Sequence, residues 1–268
     1  MKLDEAKTAV VTRQECGDPG VTLLGIRLAR QPRITQSTSE ANLLTEHPDA
    51  ARLRLLCFAD LEPNLGMSVP DFVRRHRIDA LITAGDLLTS AITGFGAIPV
   101  PAAGVYGNHC NGTYLEKYGL FNLHRQAAQL SGVRFVGLEG CVRYKPEGTR
   151  DILYTQEQYR DMIATLPAAD VLVTHCPPSG INDDPRDPAH LGIDALREWV
   201  DANQPALIIH GHTYPTELVT QYGPTRIEYV HGAAILDIVF TPRTPAPEVV
   251  RSLQIMLPNA AGSAKKEG

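Results

Sequence analysis

Short apolar runs alternate with segments of helical periodicity from residue 53 onward. Such runs predict strands, and the segments between them predict helices that cross from one strand to the next. The predicted strands span residues 53–59, 80–84, 99–106, 170–174, 206–210, 227–230 and 234–240. Together they predict an α/β architecture.

Helix signals stand between several of these runs. Ser68 is a suitable N-cap, and Pro70 fits the first turn behind it. Thr155 and Gln158 have the spacing of a capping box, and the helix that they start is expected to end near residue 166. A third amphipathic pattern ends before Pro205. The 99–106 run contains prolines, so it is expected at a sheet edge or to place its prolines at the start of a strand.

The two ends of the chain differ in pattern from its centre. Residues 1–50 predict an extension that packs on the core and consists of a hairpin, with strands near 9–12 and 21–28, followed by a polar linker. Residues 51–257 form the predicted main domain. Residues 258–268 are small and polar and are expected to be disordered.

Composition narrows the function classes. The chain has 268 residues, of which 43% are hydrophobic, so it can bury a large core, and its net charge of −5 disfavours a general surface for polyanions. Nucleic acid is therefore disfavoured as a partner but not excluded. No apolar stretch is long enough for a membrane span, and the first residues lack a secretion pattern, so a cytoplasmic protein without a membrane partner is expected. The five cysteines contain no CxxC pair and are expected to be reduced thiols. The oligomeric state is left open.

Polar motifs follow the predicted strands. They are Asp60 with Glu62, Gly85-Asp86, Gly107-Asn108-His109, His175, and Gly211-His212-Thr213-Tyr214. In an α/β sheet the ligand site lies beyond the carboxyl ends of the strands, so these distant residues can converge. Carboxylate, carboxamide and imidazole groups in one place predict a metal site.

In these motifs, over about residues 53–240, the sequence resembles the calcineurin-like metallophosphoesterase superfamily, whose pattern is D-x-H, G-D, G-N-H-D/E, H and G-H-x-H. The stretch from Thr174 to Gly180 is also similar to the T-H-x-P-P-x-G motif of small bacterial members. The resemblance implies sandwich-like central β-sheets flanked by helices, and one or two divalent or transition metal ions. Those ions would be manganese, iron or zinc.

For one ion the resemblance implies a complete ligand set of Asp86, Asn108, His175 and His212. For the other it implies Asp60 and Asp86 with two histidines, but Glu62 and Tyr214 occupy the two histidine positions. An all-oxygen set could still hold a harder ion. Alternatively, Glu62 is a solvated loop acid, and Tyr214 packs or forms a hydrogen bond near the site.

His109 matches the family histidine that contacts phosphate and assists the leaving group. The family usually follows it with an acid that orients the imidazole, whereas this chain has Cys110. Another carboxylate could take over that role. Cys110 itself is expected to be a small buried residue.

These features predict a hydrolase, a metal-dependent phosphoesterase in which a metal-held hydroxide attacks phosphorus. A phosphodiester or another small phosphorylated compound is favoured over protein as the substrate. The alternative is a catalytically impaired relative that binds metal or ligand as a scaffold, and a nuclease is a weaker third hypothesis. Outside the motifs, His210 is expected in the core, His231 could contact substrate, and the 180–190 loop forms either a rim of the site or a solvated loop.

Overall fold

The computed structural model describes residues 7–16, 50–61, 65–89, 92, 94–111 and 113–242. The strands in this part of the chain are β1 Lys7–Cys16, β2 Ala51–Ala59, β3 Ala80–Thr83, β4 Ala102–Gly104, β5 Phe121–Asn122, β6 Ala127–Leu130, β7 Val133–Leu138, β8 Cys141–Val142, β9 Leu153–Tyr154, β10 Val171–Thr174, β11 Leu207–His210, β12 Gln221–Tyr222, β13 Thr225–Tyr229 and β14 Gly232–Pro242. The helices are α1 Val69–His76, α2 Tyr114–Tyr118, α3 Gln156–Ile163 and α4 Asp194–Asn203, with short 3₁₀ turns at Phe95–Ala97 and Pro188–His190.

The strands of the described residues form two six-stranded sheets and one small pair. The first sheet has the order β1-β14-β2-β3-β4-β5, and the second has the order β12-β13-β11-β10-β7-β6. Strands β2 to β5 run parallel, as do β13, β11, β10 and β7. Each sheet therefore has a parallel centre whose strands end at the same edge, and ligand sites form at such edges.

The two sheets pack face to face, and helices cover their outer faces. Along β2, Leu55 and Cys57 join the cluster between the sheets, whereas Leu56 and Phe58 join the cluster beneath α1 and α2. In the second sheet, Leu172 packs under α3 and α4. Both faces of the central strands are thus buried, which explains why these strands have continuous apolar sequences instead of alternating ones.

The predicted helix starts are present at both capped positions. The hydroxyl of Ser68 accepts the N–H of Asp71 at 3.2 Å. Thr155 and Gln158 form a complete capping box, with bonds of 3.1 Å and 2.8 Å. These side chains satisfy N–H groups that have no partner inside a helix, so each fixes where its helix begins.

The proline-containing run forms a shorter strand than predicted, and that strand is not at an edge. β4 spans Ala102–Gly104 and lies between β3 and β5. Pro99 and Pro101 precede β4, which agrees with the expectation that the prolines stand at the start of a strand. The carbonyl of Pro101 accepts the N–H of Leu81 at 3.0 Å. Proline lacks a backbone N–H donor, but its carbonyl can still accept a hydrogen bond from the neighbouring strand.

Strand β1 pairs over its full length with β14, in antiparallel register from Lys7 opposite Pro242 to Cys16 opposite Ala233. The second strand of the predicted hairpin, the polar linker and the 258–268 tail lie outside the described residues, so the predicted division into domains stays a prediction. No helix in the described ranges is long and apolar enough to cross a lipid bilayer.

Candidate metal centre

The motif residues converge where the two sheets meet. Asp60, Asp86 and Asn108 follow β2, β3 and β4 of the first sheet, and His175 and His212 follow β10 and β11 of the second. Ligand atoms of Asp60, Asp86 and His175 all lie within 4.8 Å of one another. Both sheets therefore contribute to the centre.

Three of these residues have left-handed backbone conformations, with φ of 62° at Asp60, 55° at Asp86 and 72° at His212. A non-glycine residue rarely adopts such a φ, which costs roughly 1–3 kcal/mol, and residues of this kind concentrate at functional sites. Each of them turns the chain just after a strand. The surrounding packing must hold these turns in place.

Two motif glycines allow the backbones to approach closely. Gly85 has a φ of 96°, and a Cβ there would lie 2.5 Å from the backbone N of Gly107 and 2.7 Å from Nδ1 of His175. A Cβ at Gly107 would lie 2.6 Å from Cγ of Asp86. Real Cβ atoms do not come so close to other atoms, so both positions require glycine.

The imidazole of His175 is fully buried, and its two nitrogens have different surroundings. Nδ1 lies 2.8 Å from the carbonyl of Ala84, which can only accept, so Nδ1 carries the proton. Nε2 then faces Oδ1 of Asn108 at 2.9 Å and Oδ2 of Asp86 at 3.4 Å. With a neutral imidazole, the lone pairs of these three atoms point at one place, and a bound cation or a proton would stabilise that arrangement.

Electrostatics agree with this geometry. Burial opposes ionisation of Asp86, but the charge of His175 and hydrogen bonds from His175 and the N–H of His109 outweigh it and hold the pKa of Asp86 at about 2. Burial likewise lowers the pKa of His175, and the neighbouring carboxylates of Asp86 and Asp60 raise it by more. The site therefore favours positive charge. In addition, Nδ2 of Asn108 is buried and has no partner in the described part of the chain.

His212 has one ring nitrogen available as a ligand. Its Nε2 lies 2.8 Å from the carbonyl of Ala189 and must donate to it, so Nδ1 keeps a lone pair. Burial first, and then the charges of His175 and His190, lower the pKa of His212 to about 2, so it is neutral at neutral pH. Its ring centroid is 4.8 Å from that of His175. A neutral imidazole is the form that binds metal.

Asp60 connects the two sheets. Its carboxylate oxygens accept the backbone N–H of His212 at 3.1 Å and 3.2 Å, and its own N–H donates to the carbonyl of Gly85 at 3.1 Å. Nδ1 of His231 lies 3.4 Å from Oδ2 of Asp60. The carboxylates of Asp60 and Asp86 and the imidazole of His175 form a group that could hold a metal ion.

The two positions that depart from the family pattern differ in what the structure describes. Glu62 lies outside the described residues. The side chain of Tyr214 is 66% exposed, and its ring stands edge-on to His190 at 5.7 Å and to His231 at 5.4 Å. Burial, Asp60 and Asp86 raise the pKa of Tyr214, which favours the phenol over the phenolate. A packing role for this tyrosine agrees with these contacts.

His109 lies beside a carboxylate that the motifs do not contain. Its side chain is 54% exposed, and Nδ1 lies 3.4 Å from Oδ1 of Asp151. Lys145 holds the other oxygen of Asp151 at 2.5 Å, and this hydrogen bond lowers the pKa of Asp151. Asp151 thus occupies a position from which it can orient His109. By contrast, Cys110 is buried, and burial raises its pKa to about 12, so it is an inert thiol.

The 180–190 loop closes one side of the site. Besides the Ala189 carbonyl, it brings the His190 ring to 5.2 Å from that of His212, and Nδ1 of His190 pairs with Asp187 at 2.6 Å. Arg186 is exposed and pairs with Asp184. His190 belongs to no motif, so no signal in the sequence pointed to it.

His210 is fully buried and lies 2.9 Å from the amide of Asn182, in the core as expected.

The calcineurin-like phosphoesterase family model matches residues 53–215, which is more than half of the chain and includes every motif strand up to β11. The chain belongs to the calcineurin-like phosphoesterase family. Members of this family are phosphoester hydrolases that generally bind divalent metal ions. The predicted family is therefore confirmed. No curated protein sequence matches the chain.

The chain is also similar to solved structures. One crystal structure has a TM-score of 0.52 at 14% identity, over 72% of this chain and all of that chain. TT1561 of Thermus thermophilus has a TM-score of 0.47 at 13% identity, over 67% of this chain and 89% of its own. GAP50, the anchor in the inner membrane complex of Plasmodium, has a TM-score of 0.41 at 13% identity, over 68% of this chain and 72% of its own. The first of these, together with the family match, confirms the predicted phosphoesterase fold.

Proposed function

We propose that the chain is a metal-dependent phosphodiesterase of small molecules. The observation that carries the proposal is the group of ligand atoms from Asp86, Asn108 and His175, in which Nε2 of His175 lies 2.9 Å from Oδ1 of Asn108 and 3.4 Å from Oδ2 of Asp86. Asp60 lies within 4.8 Å of Asp86 and His175 and accepts the backbone N–H of His212, which makes these two residues the further candidate ligands. When bound, divalent ions in such a set supply a nucleophile from water at neutral pH and offset the charge that develops on phosphorus.

Residues of the chain would supply the remaining functions of the site, which are charge, metal ligation and proton transfer. Asp86, whose pKa is held at about 2, supplies permanent negative charge, and neutral His212 supplies a lone pair. His109 is more exposed than the other histidines of the centre and is free to reach a substrate oxygen. It would donate a proton to the leaving oxygen, and Asp151 would orient its ring.

A small phosphorylated substrate suits the charge of the protein. The chain carries a net charge of −5, and both Lys145, whose partner Asp151 lies beside His109, and Arg186, which is part of the 180–190 loop, pair with aspartates. A long polyanion requires several cations in a row. A single phosphodiester group requires only the metal centre and His109.

Metal removal tests this proposal. Protein dialysed against a chelator should lose hydrolysis of bis(4-nitrophenyl) phosphate by about a thousandfold, since a bound ion contributes several kcal/mol to the barrier. Adding Mn²⁺, Fe²⁺ or Zn²⁺ back should restore the rate in the wild type but not in Asn108→Ala. Unchanged turnover in protein shown by mass spectrometry to be metal-free would refute the proposal.

Replacing Asp151 tests the role of His109. Asp151→Asn should lower kcat by about tenfold or more on esters with poor leaving groups, because an unoriented imidazole transfers its proton less well. KM should change little. On 4-nitrophenyl esters, whose leaving oxygen needs no proton, the loss should nearly vanish. Steady-state kinetics over a series of leaving groups measures both.

The matched control for this change is Glu147→Gln, which removes an exposed acid from the same loop. It should behave as the wild type on every ester. An equal loss on all leaving groups in Asp151→Asn would contradict the orienting role, because a general distortion of the site has no leaving-group dependence.

A second candidate function is a binding module that holds one ion without turnover. The observation in its favour is Tyr214, which is largely exposed and packs between two histidine rings where the family has a ligand histidine. The same metal experiment separates the two functions. Protein that takes up ions and hydrolyses neither phosphate diesters nor monoesters would be this module.

A further inference from the structure

His231 is the imidazole beside Asp60 that no motif assigns. It lies between β13 and β14, and the pairing of Gly232 with Ala59 places it next to the residue that follows β2. The N–H of Val230 donates to the carbonyl of His210 at 2.7 Å, so the backbone before His231 is tied to the second sheet. Its position is thus fixed by both sheets.

The distance between His231 and Asp60 suits two ligands of one ion. Nδ1 of His231 and Oδ2 of Asp60 are 3.4 Å apart, which exceeds the usual N–H···O range of about 2.7–3.2 Å. Two atoms bound to one ion at about 2.1 Å, at a right or tetrahedral angle, are separated by about 3.0–3.4 Å. The same separation, 3.4 Å, occurs between Nε2 of His175 and Oδ2 of Asp86.

The other imidazole on this side of the centre is already engaged. Nδ1 of His190 pairs with Asp187 at 2.6 Å, and its ring packs against His212 and Tyr214. Tyr214 packs edge-on against His231 as well, and the ring of Tyr229 is stacked with that of His231 at a centroid distance of 6.3 Å. Two aromatic rings therefore restrict the orientation of the His231 imidazole.

We propose that His231 is a metal ligand, which together with Asp60 binds the second ion of the centre. It supplies an imidazole at the ion for which the family pattern has histidines at the positions of Glu62 and Tyr214. The inference rests on the proposed function, because it requires an ion at Asp60. It adds a ligand from the β13–β14 turn, which lies beyond the region that the family model matches.

Counting bound Mn²⁺ tests the inference without any substrate. Metal-free wild type, His231→Gln and the control His76→Gln, a histidine on α1 that stacks on Phe72, would be titrated with Mn²⁺ while the EPR signal of the free ion is recorded. Wild type and control should bind two ions. His231→Gln should keep one with unchanged affinity and bind the second at least about 100-fold more weakly.

Pulsed EPR adds a spectroscopic readout, since an imidazole nitrogen bound to Mn²⁺ couples to its electron spin. The nitrogen coupling at the more weakly bound ion should disappear in His231→Gln. Circular dichroism and the melting temperature show whether the variant is folded. His231→Asn serves as a second replacement. If a folded His231 variant bound two ions with wild-type affinity, the role of His231 would be refuted while the proposed function would stand. The same would follow if the wild type bound only one ion. A wild type that binds no ion would overturn the proposed function itself.

Discussion

Replacing Asp86 by asparagine should reduce phosphodiester hydrolysis by about a thousandfold or more, which corresponds to several kcal/mol in the barrier. Asp86 lies at the middle of the centre, within 4.8 Å of ligand atoms from both Asp60 and His175. Its carboxylate stays ionised at neutral pH, because its pKa is about 2. The amide has almost the same shape, so the change removes a full negative charge and little else. Values of kcat/KM at saturating Mn²⁺, together with metal content, measure the effect.

Asp79→Asn is the matched control, because Asp79 precedes the strand that Asp86 follows. Its carboxylate accepts the N–H of Arg54 at 2.8 Å, at the opposite end of β3 from the metal centre. An amide oxygen can accept the same bond, so activity should remain close to that of the wild type. Comparable rates in the two variants would remove Asp86 from the site.

Replacing Gly107 by alanine should damage both folding and activity. The new Cβ would meet Asp86 at Cγ, 2.6 Å away, and at its backbone N. Either the turn after β3 or the turn after β4 must move, and overpacking of this kind costs about 1–3 kcal/mol of unfolding free energy. A displacement of about 1 Å in a reacting group costs roughly a hundredfold in rate. Urea unfolding and kcat/KM measure the two losses.

Gly94→Ala provides the comparison for this change. Gly94 has a φ of −83°, and the nearest atom to a Cβ there is Cδ of Pro70 at 4.0 Å. Alanine fits both the space and the backbone, so stability and activity should be unchanged. If Gly107→Ala were as stable and as active as Gly94→Ala, the close approach of the two turns would not be essential.

The sequence predicted the centre of the fold because apolar runs and motif positions follow directly from parallel strand geometry. Asp86, Asn108 and His175 each come just after such a run, and parallel strands end at one edge. That reasoning placed the three residues together without any measured distance.

The region between α2 and α3 could not be predicted in the same way. Strands β5, β8 and β9 have only two residues each, which is too short for a periodic pattern to stand out. Asp151 reaches His109 because the N–H of Ile152 donates to the carbonyl of Asn108 at 2.9 Å. A single long-range backbone bond of this kind leaves no trace in composition or spacing.

The 180–190 loop is a similar case. Its charged residues suggested either a rim or a solvated loop, and the structure has both, since Arg186 is exposed while Ala189 bonds His212. The contact comes from a backbone carbonyl, which every residue carries. Side-chain chemistry read from the sequence therefore could not identify it.

The candidate ligands come from opposite layers of the sandwich, with Asp60, Asp86 and Asn108 on one sheet and His175 and His212 on the other. An ion bound among them would act as a cross-link that exists only while the layers are assembled. By mass action, a ligand that binds only the folded chain stabilises it by RT ln(1 + [L]/Kd), about 2.7 kcal/mol at a hundred times Kd. The supply of metal would then set how firmly the two halves of this protein hold together.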